Sequence, residues 1–341
     1  MAVALLVAAG SGERLGAERP KAFAMLGGRP MLEWSLDALR AAGIEEIVVA
    51  LPAGEDAPAG TVGVRGGETR TESVRAALGA SSGDPVVIHD AARPLVTPET
   101  IRAALDALEG CDGVVVAAPV TDTVKRVEDG LVLQTVPREG LWAAQTPQVL
   151  RREALERGLA AASGPVTDDV ALVEGSGRVR VVEGPPENFK VTTAADLVAA
   201  EALLTPRRRL AVVREIIAAV NEGRMEAPFA HYHDDVLWDL TAMKDVLATD
   251  EVYRGHEGLR RYWREWLSAW ETVRFEVEDL FAVGDHVVQY QRQVMRGRHS
   301  GVEVAVEDYT QVWSFRGEKV AAMRFFADRE EALRFVRESR C

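Results

Sequence analysis

A glycine-rich segment near the start of the chain carries residue types suited to binding a nucleoside triphosphate. The residues concerned are Ala8, Ala9, Gly10, Gly12, Arg14, Gly16 and Lys21. Backbone N–H groups of small residues can approach phosphate oxygens closely, and the two basic side chains would add positive charge beside them. The alternative interpretation is a flexible turn followed by a solvated lysine. The spacing matches neither the dinucleotide fingerprint nor the P-loop signature, which disfavours a hydride-transfer enzyme.

A second candidate, Asp90, ends the apolar run Pro-Val-Val-Ile-His-Asp that starts at Pro85. A carboxylate at the carboxyl end of a strand is well placed to hold Mg²⁺. The alternative interpretation makes Asp90 the N-cap of a helix. The neighbouring His89 is expected to be structural rather than catalytic.

The elements around these residues alternate between short apolar runs and amphipathic stretches up to about Leu204. This alternation predicts an α/β, Rossmann-like fold with a mostly parallel sheet and helices on both faces, which binds ligands at the carboxyl ends of its strands. Between Thr121 and Arg138, two alternating runs flank Asp129-Gly130. That dipeptide is typical of a hairpin turn, so we expect a protruding β-arm.

The pattern changes at Thr205-Pro206-Arg207-Arg208-Arg209, a short basic break. We therefore predict a first domain over 1–204, a linker over 205–209 and a second domain over 210–341. The second domain begins with a helix, a strand and a helix, and continues with four strand-like runs and a closing helix. This order is typical of an α+β domain.

Composition limits the classes of function. The chain has 341 residues, 47% hydrophobic and 27% charged, and a formal net charge of −13. Such a negative charge argues against general binding to nucleic acid. The apolar opening is too short for a membrane span and lacks a basic leader, so we expect no membrane association. The two cysteines, Cys111 and Cys341, form no disulfide framework or zinc spacing and indicate a cytoplasmic location.

The glycine-rich segment with Pro20-Lys21 resembles the signature of nucleotidyltransferases that activate sugar phosphates. Later segments over 1–204 narrow the resemblance to the 2-C-methyl-D-erythritol 4-phosphate cytidylyltransferase family. They are Gly66-Gly67-x-x-Arg70-x-x-Ser73-Val74, His89-Asp90-Ala91-Ala92-Arg93-Pro94, Ala118-Pro119-Val120-x-Asp122-Thr123-x-Lys125, Thr146-Pro147-Gln148, Thr167-Asp168-Asp169 and Asn188-Phe189-Lys190-Val191-Thr192. The resemblance implies transfer of a cytidylyl group from CTP to methylerythritol phosphate with release of pyrophosphate. A related acceptor, such as ribitol 5-phosphate, is the alternative.

The resemblance also implies a role for particular residues. Arg14 and Lys21 would be catalytic, and Asp90 would hold Mg²⁺ or another divalent cation. CTP would bind to the backbone of Ala8, Ala9, Gly10 and Gly12 together with Gly67, Ser73 and Asp90. The acceptor would bind Arg93, Thr123, Arg138, Thr146 and Lys190. Because Thr123 and Arg138 lie on the arm, which in this family reaches into a neighbouring subunit, the resemblance implies a homodimer. Judged without the family, Thr123 is an ordinary strand residue and Arg138 a solvated charge.

The second domain resembles the SnoaL-like branch of the nuclear-transport-factor-2-like superfamily, whose members are cone-shaped α+β domains with a pocket. The segments that carry this looser resemblance are 236–240, 253–258 and 313–317. The side chains expected to line a pocket are Trp238, Trp266, Tyr309, Gln311 and Arg324. The alternative is ordinary core with a surface arginine. The domain could serve in binding or dimerisation, or it could be a second small-molecule enzyme or a ligand sensor. An enclosed pocket that holds an acid/base residue beside a polar partner would favour an enzyme, and a filled apolar interior would favour a structural role.

Overall fold

The computed structural model describes residues 1–10, 12, 20–162, 164, 166–241 and 252–339. The chain divides into two compact units, Met1–Glu201 and Ala202–Cys341, called here the first and second unit. Each unit has its own hydrophobic core.

A seven-stranded sheet organises the first unit. Its strands are β1 (Val3–Val7), β4 (Glu46–Leu51), β5 (Val62–Arg65), β6 (Val86–Asp90), β7 (Gly113–Pro119), β10 (Trp142–Leu150) and β11 (Val179–Glu183). The order is β11-β7-β10-β6-β1-β4-β5. The pairs that β10 makes with β6 and β7 are antiparallel, and the other pairs are parallel. The prediction of a mostly parallel sheet is confirmed.

Helices cover both faces of this sheet. They are α1 (Met31–Ala41), α2 (Arg70–Gly79), α3 (Pro98–Asp106) and α4 (Arg152–Ala161). Apolar residues of α1 and α3 pack in one core cluster, and those of α2 and α4 pack in another. Smaller elements are the 3-10 helices Lys21–Phe23 and Val170–Leu172 and the strands β2 (Met25–Leu26) and β3 (Arg29–Pro30). This arrangement leaves the carboxyl ends of β1 and β6 side by side at one edge of the sheet.

The predicted hairpin is present as β8 (Val124–Glu128) and β9 (Leu131–Val136). Asp129 (φ 48°) and Gly130 (φ 79°) form its turn, the left-handed backbone that Asp-Gly dipeptides adopt readily. Val127, Leu131, Val132 and Leu133 are all more than half exposed on it. An arm with so many exposed apolar side chains is typical of a surface that contacts another molecule.

Helix α5 (Ala194–Asn221) runs without interruption through 205–209, where the sequence predicts a linker. Pro206 lies inside this helix and cannot donate a backbone hydrogen bond to the turn before it. The helix nevertheless continues, with Leu204 before the proline and Val213 and Ile216 after it buried. Burial of apolar residues on both sides of the proline outweighs the loss of one hydrogen bond. This burial cannot be recognised from the basic run in the sequence.

The second unit is built on a six-stranded sheet of order β13-β12-β17-β16-β15-β14. Its strands are β12 (Tyr232–Asp239), β13 (Val252–Arg254), β14 (Trp270–Val283), β15 (His286–Gly297), β16 (Glu303–Arg316) and β17 (Lys319–Phe326). Its other elements are the 3-10 helix Ala227–His231, α6 (Gly255–Ala269) and α7 (Arg329–Glu338). All pairs are antiparallel except β12 with β17. The α+β architecture expected from the sequence is confirmed.

Candidate active site

A pocket of about 460 Å³ lies at the carboxyl ends of β1 and β6. The residues that line it come from five separate segments of the first unit. They are Val7, Ala8, Ala9, Gly10, Gly12, Lys21, Ala22, Gly67, Glu68, Thr69, Arg70, Ser73, Asp90, Ala92, Lys190 and Thr192. The fold therefore brings together the predicted glycine segment, Asp90, Ser73 and Lys190 in one cavity.

The glycine segment follows β1 directly and packs against Lys21. Gly12 has a φ of +77°, and a Cβ on it would lie 2.8 Å from the Cβ of Lys21. The Lys21 N–H donates to the Gly10 carbonyl at 3.3 Å, and the buried Phe23 anchors the 3-10 helix that Lys21 begins. Only glycine fits at position 12, which packs directly against Lys21, and the Gly10 carbonyl helps to hold that lysine at the pocket wall. Arg14, the other predicted catalytic residue, lies outside the described residues.

The facing wall is backbone at the start of α2. A Cβ on Gly66 would lie 2.3 Å from the Cβ of Ala9, so the backbone of Gly66 packs directly against the Ala9 side chain. The Gly67 N–H donates to the Ser73 hydroxyl at 3.1 Å, and that hydroxyl donates to the Thr69 carbonyl at 3.0 Å. These contacts fix a narrow cleft lined by main-chain groups, which suits the edge of a flat base.

Asp90 is held by two cations. Arg70 Nε lies 2.9 Å from Asp90 Oδ1, and Lys190 Nζ lies 2.8 Å from Oδ2. Arg70 Nη1 also lies 2.7 Å from Asp169 Oδ2. Burial alone would raise the pKa of Asp90, but the charges of Arg70 and Lys190 outweigh it and hold that pKa well below its usual range. Asp90 is therefore ionised, and it caps no helix, since Thr97 is the N-cap of α3.

Lys190 owes its position to buried contacts of its neighbours. Asn188, fully buried, donates through Nδ2 to Gln145 Oε1 and to the Thr146 carbonyl, both at 2.9 Å. The Val191 N–H donates to the Ala92 carbonyl at 2.8 Å. The segment around Lys190 is thus fixed beside the loop that follows Asp90.

Thr146 and His89 lie behind Asp90 and do not line the pocket. The Thr146 hydroxyl accepts the Asp90 N–H at 3.1 Å and lies 2.9 Å from His89 Nδ1. His89 Nε2 lies 3.2 Å from the Arg93 carbonyl, which assigns the proton to Nε2. Burial lowers the pKa of His89 to about 4, so the ring is neutral and supports the strand end.

The remaining predicted acceptor residues are also absent from the described pocket wall. The Arg93 guanidinium bonds the carbonyls of Asn188 and Ala144, at 2.7 and 3.3 Å. Thr123 and Arg138 flank the arm strands, and Arg138 Nη1 bonds the Thr121 carbonyl. Within one chain, only Lys190 of the five predicted acceptor residues reaches the pocket.

Arg70 and Asp169 belong to this site, although their places in the sequence predict no role for either. Both stand in segments that carry the family resemblance. The spacing gives no sign that residues 70, 90 and 169 meet, because their contact depends on how α2 and the loop before Val170–Leu172 pack over β6. The fold alone reveals this set of charges.

The described residues contain no group of three or more His, Cys, Asp or Glu side chains that could hold a metal ion. Asp90 and the exposed Glu68 are the carboxylates on the described pocket wall, and Mg²⁺ is commonly held by one or two carboxylates together with substrate phosphates. The donor set fits a divalent cation held by Asp90 together with substrate phosphates.

The set of residues expected to line a pocket in the second unit lies mostly in its core. Trp238, Tyr309 and Gln311 are buried, and Trp266 is partly buried against the core cluster that contains Trp238 and Tyr309. The cavity beside Trp238 and Gln311 measures only about 10 Å³, room for about one water molecule. Within this interior, Trp313 Nε1 donates to Gln289 Oε1 at 2.8 Å.

Arg324 does not belong with this set. The register pairs Trp313 with Met323 and Val312 with Arg324, which places Arg324 on the opposite face of the sheet. There its guanidinium lies 4.9 Å from the ring of Phe335 on α7 and 3.3 Å from Asp239 Oδ2. The expectation that Arg324 lines the same pocket is wrong, because adjacent strand positions point to opposite faces.

Comparison with known proteins identifies the family to which the first unit is similar. The sequence profile of 2-C-methyl-D-erythritol 4-phosphate cytidylyltransferase matches residues 2–206, more than half of the chain. The chain belongs to this family. A Deinococcus radiodurans protein with that name is 51% identical over 206 residues, which cover 59% of this chain and 88% of the relative. A Frankia casuarinae relative is 48% identical over 213 residues, covering 59% and 80%.

A crystal structure of the Thermus thermophilus protein of the same name is similar, with a TM-score of 0.54 and 38% identity. The match covers 60% of this chain and 98% of the Thermus thermophilus chain. Residues 213–323 match the profile of the SnoaL-like domain, which confirms the predicted fusion. Among the described residues, no helix is both long and apolar enough to cross a membrane.

Proposed function

We propose that the protein transfers a cytidylyl group from CTP to 2-C-methyl-D-erythritol 4-phosphate and releases pyrophosphate, a step in isoprenoid precursor synthesis. The observation that carries this proposal is the convergence of the glycine segment, Lys21, Asp90 and Lys190 on one pocket in a chain of this family. The names of its relatives support the choice of both substrates.

In the proposed reaction, a phosphate oxygen of the acceptor attacks the α-phosphorus of CTP. A new P–O bond forms, the bond between the α-phosphorus and the bridging oxygen to the β-phosphate breaks, and pyrophosphate leaves with that electron pair. The reaction needs alignment and positive charge more than a protein nucleophile. Lys21, beside the glycine backbone, would stabilise the charge that develops at the α-phosphate, as would Arg14.

The other residues bind and orient the substrates. The backbone of Ala8–Gly12 and Gly67, with Ser73, would hold the base and ribose, and Lys190 would bind the acceptor phosphate. Asp90 would hold Mg²⁺ or another divalent cation, which supplies charge neutralisation at the phosphates of CTP. His89, neutral and buried, would take no part in proton transfer.

We further infer a homodimer in which the arm of one subunit completes the site of its partner. The exposed apolar residues of the arm support this, as does the absence of Thr123 and Arg138 from the described pocket wall of their own chain. Mixing inactive Lys21→Ala and Arg138→Ala subunits is expected to restore part of the activity. Failure of every mixture to regain activity would contradict sites shared between subunits.

For the second unit, we infer a structural or binding role, because the described residues of its interior leave only about 10 Å³ beside Trp238 and Gln311. A cytoplasmic location remains an inference from the cysteine content.

The proposal is tested by pyrophosphate release from full-length protein with Mg²⁺. CTP with methylerythritol phosphate is compared with CTP plus ribitol 5-phosphate, and with UTP or ATP in place of CTP. Pyrophosphate release is expected only with the pair of CTP and methylerythritol phosphate. Faster release with ribitol 5-phosphate would assign a different acceptor, and no release with any pair would contradict the proposed activity.

A further inference from the structure

The Asp90 carboxylate has a different cation at each oxygen, Arg70 at Oδ1 and Lys190 at Oδ2. Two of these residues are needed elsewhere if the proposed function holds, Asp90 for the metal ion and Lys190 for the acceptor phosphate. The Asp90–Lys190 ion pair must therefore open when the substrates bind. The two cations differ in how firmly they are held, and that difference decides which one leaves.

Arg70 is the firmly held cation. Its guanidinium bridges Asp90 and Asp169, and its side chain is 22% exposed. Asp169 is itself fixed, because it is 1% exposed and its N–H donates to Gln148 Oε1 at 2.8 Å. Arg70 is also the first residue of α2, directly after the N-cap Thr69, whose capping box with Glu72 fixes the start of the helix. Removing Arg70 from Asp90 would leave two buried carboxylates without their shared cation, which is costly.

Lys190 is the cation that can leave at little cost. Its side chain is 42% exposed, against 10% for that of Asp90. A half-exposed ammonium on a flexible stem forms weak ion pairs and exchanges partners easily. A substrate phosphate in the pocket offers it a stronger, doubly charged acceptor.

We propose that Arg70 is a positioning residue for cytidylyl transfer: Asp169 fixes its guanidinium, and the guanidinium keeps the Asp90 carboxylate facing the pocket after Lys190 has moved to a substrate phosphate. Arg70 acts through Asp90 and need not touch the nucleotide. This inference rests on the proposed function, and it assigns a role to the Thr-Asp-Asp segment that the reaction otherwise leaves unused.

The test measures the affinity for CTP by titration calorimetry, with and without Mg²⁺, on the full-length protein. In the wild type, Mg²⁺ is expected to tighten CTP binding. In Arg70→Met this gain is expected to shrink by about 10- to 100-fold, the usual effect of losing a residue that orients a metal ligand. CTP binding without metal should change much less, because the glycine backbone is intact.

A second variant covers the case in which Arg70→Met does not fold. Arg70→Met/Asp169→Asn removes the buried unpaired charge, and circular dichroism checks its fold. It is expected to show the same loss of the Mg²⁺-dependent gain. In Lys190→Gln the gain should be kept or increased, because the competing cation on Asp90 is gone, whereas the KM for the acceptor should rise.

The matched control is Arg75→Met, on the same helix. Arg75 Nη2 donates to the Leu159 carbonyl at 2.9 Å, and Arg75 does not line the pocket. Its Mg²⁺-dependent gain should equal that of the wild type. The inference is overturned if a folded Arg70 variant keeps the full gain, or if it loses metal-free and metal-dependent binding equally. Failure of the proposed function would give a different result, namely that the wild type shows no turnover.

Discussion

The pocket of the first unit and the interior of the second unit differ both in the kinds of side chain that line them and in the space that those side chains leave. In the first unit, charged groups and glycine backbone surround about 460 Å³. In the second unit, tryptophans, tyrosines and glutamines close around a cavity of about 10 Å³. Aromatic and polar residues on one strand face are therefore weak evidence of a binding site until the packing above them is known.

The polar groups are also used differently in the two regions. In the second unit, Gln289 and Trp313 satisfy each other inside the core. In the first unit, Asp90, Lys190 and Arg70 face the cavity as a set of opposite charges. Opposite charges held at the wall of an open pocket can be rearranged by an anionic substrate, whereas a buried neutral pair serves packing.

The largest predicted effect is a loss of stability of the second unit that leaves the reaction of the first unit unchanged. Trp238 is 2% exposed and its ring contacts Tyr262, Trp263 and Trp313. Trp238→Ala is expected to lower the free energy of unfolding of the second unit by about 3–5 kcal/mol. Pyrophosphate release per folded molecule should stay unchanged.

Denaturant unfolding followed by circular dichroism measures this effect. Val302→Ala, at a position 58% exposed in the same unit, is the control and should change stability by less than about 0.5 kcal/mol. Loss of turnover by a folded Trp238→Ala protein would show that the second unit contributes to the reaction.

The next effect is the loss of charge stabilisation at the α-phosphate. Lys21→Met is expected to lower kcat by about 10²–10³-fold, with little change in stability, because the side chain acts mainly in the transition state. Steady-state pyrophosphate release is the measurement, and Lys319→Met, an exposed lysine of the second unit, is the control. A kcat near that of the wild type would remove Lys21 from the catalytic residues.

A smaller effect is expected at the acceptor side of the pocket. Lys190→Gln should raise the KM for methylerythritol phosphate by about tenfold or more, the effect of losing one hydrogen bond to a charged group. The KM for CTP should change less. An unchanged acceptor KM together with a raised CTP KM would reassign Lys190 to the nucleotide.

The smallest effect is expected for His89. Because burial lowers its pKa to about 4, the ring is already neutral at pH 6 and gains no proton between pH 6 and 8. The wild type and a folded His89→Gln variant should therefore show the same pH dependence of kcat over that range. A step in the wild-type profile that is missing from the variant would mean that His89 titrates during turnover.

The sequence predicts most of the strands and helices because their apolar periods are clean and their turns carry strong signals, as at Asp129-Gly130. The strand β10 is harder to recognise, since Pro147 argues against a strand. In the structure, Pro147 sits where the pairing of β10 with β7 is irregular, between Ala144 and Gln148. The helical course through Pro206 escapes prediction because it depends on burial.

The sequence predicts the site residues that lie at or directly after the end of a strand, as in the glycine segment and at Asp90. It is not predicted where contacts join distant segments, as with Arg70 and Asp169. The prediction for Arg324 is wrong because the register of β17 against β16 cannot be read from either strand alone. The proposed roles of Thr123 and Arg138 depend on the site of a partner subunit.

The measurement that tests the central claim most directly is ³¹P NMR of full-length protein incubated with Mg²⁺, CTP and methylerythritol phosphate. The account predicts that CTP disappears while pyrophosphate and a new diphosphate diester appear in equal amounts, and that Lys21→Met suppresses both. Pyrophosphate without the diester would indicate hydrolysis rather than transfer, and unchanged CTP would contradict the assignment of cytidylyl transfer to this pocket.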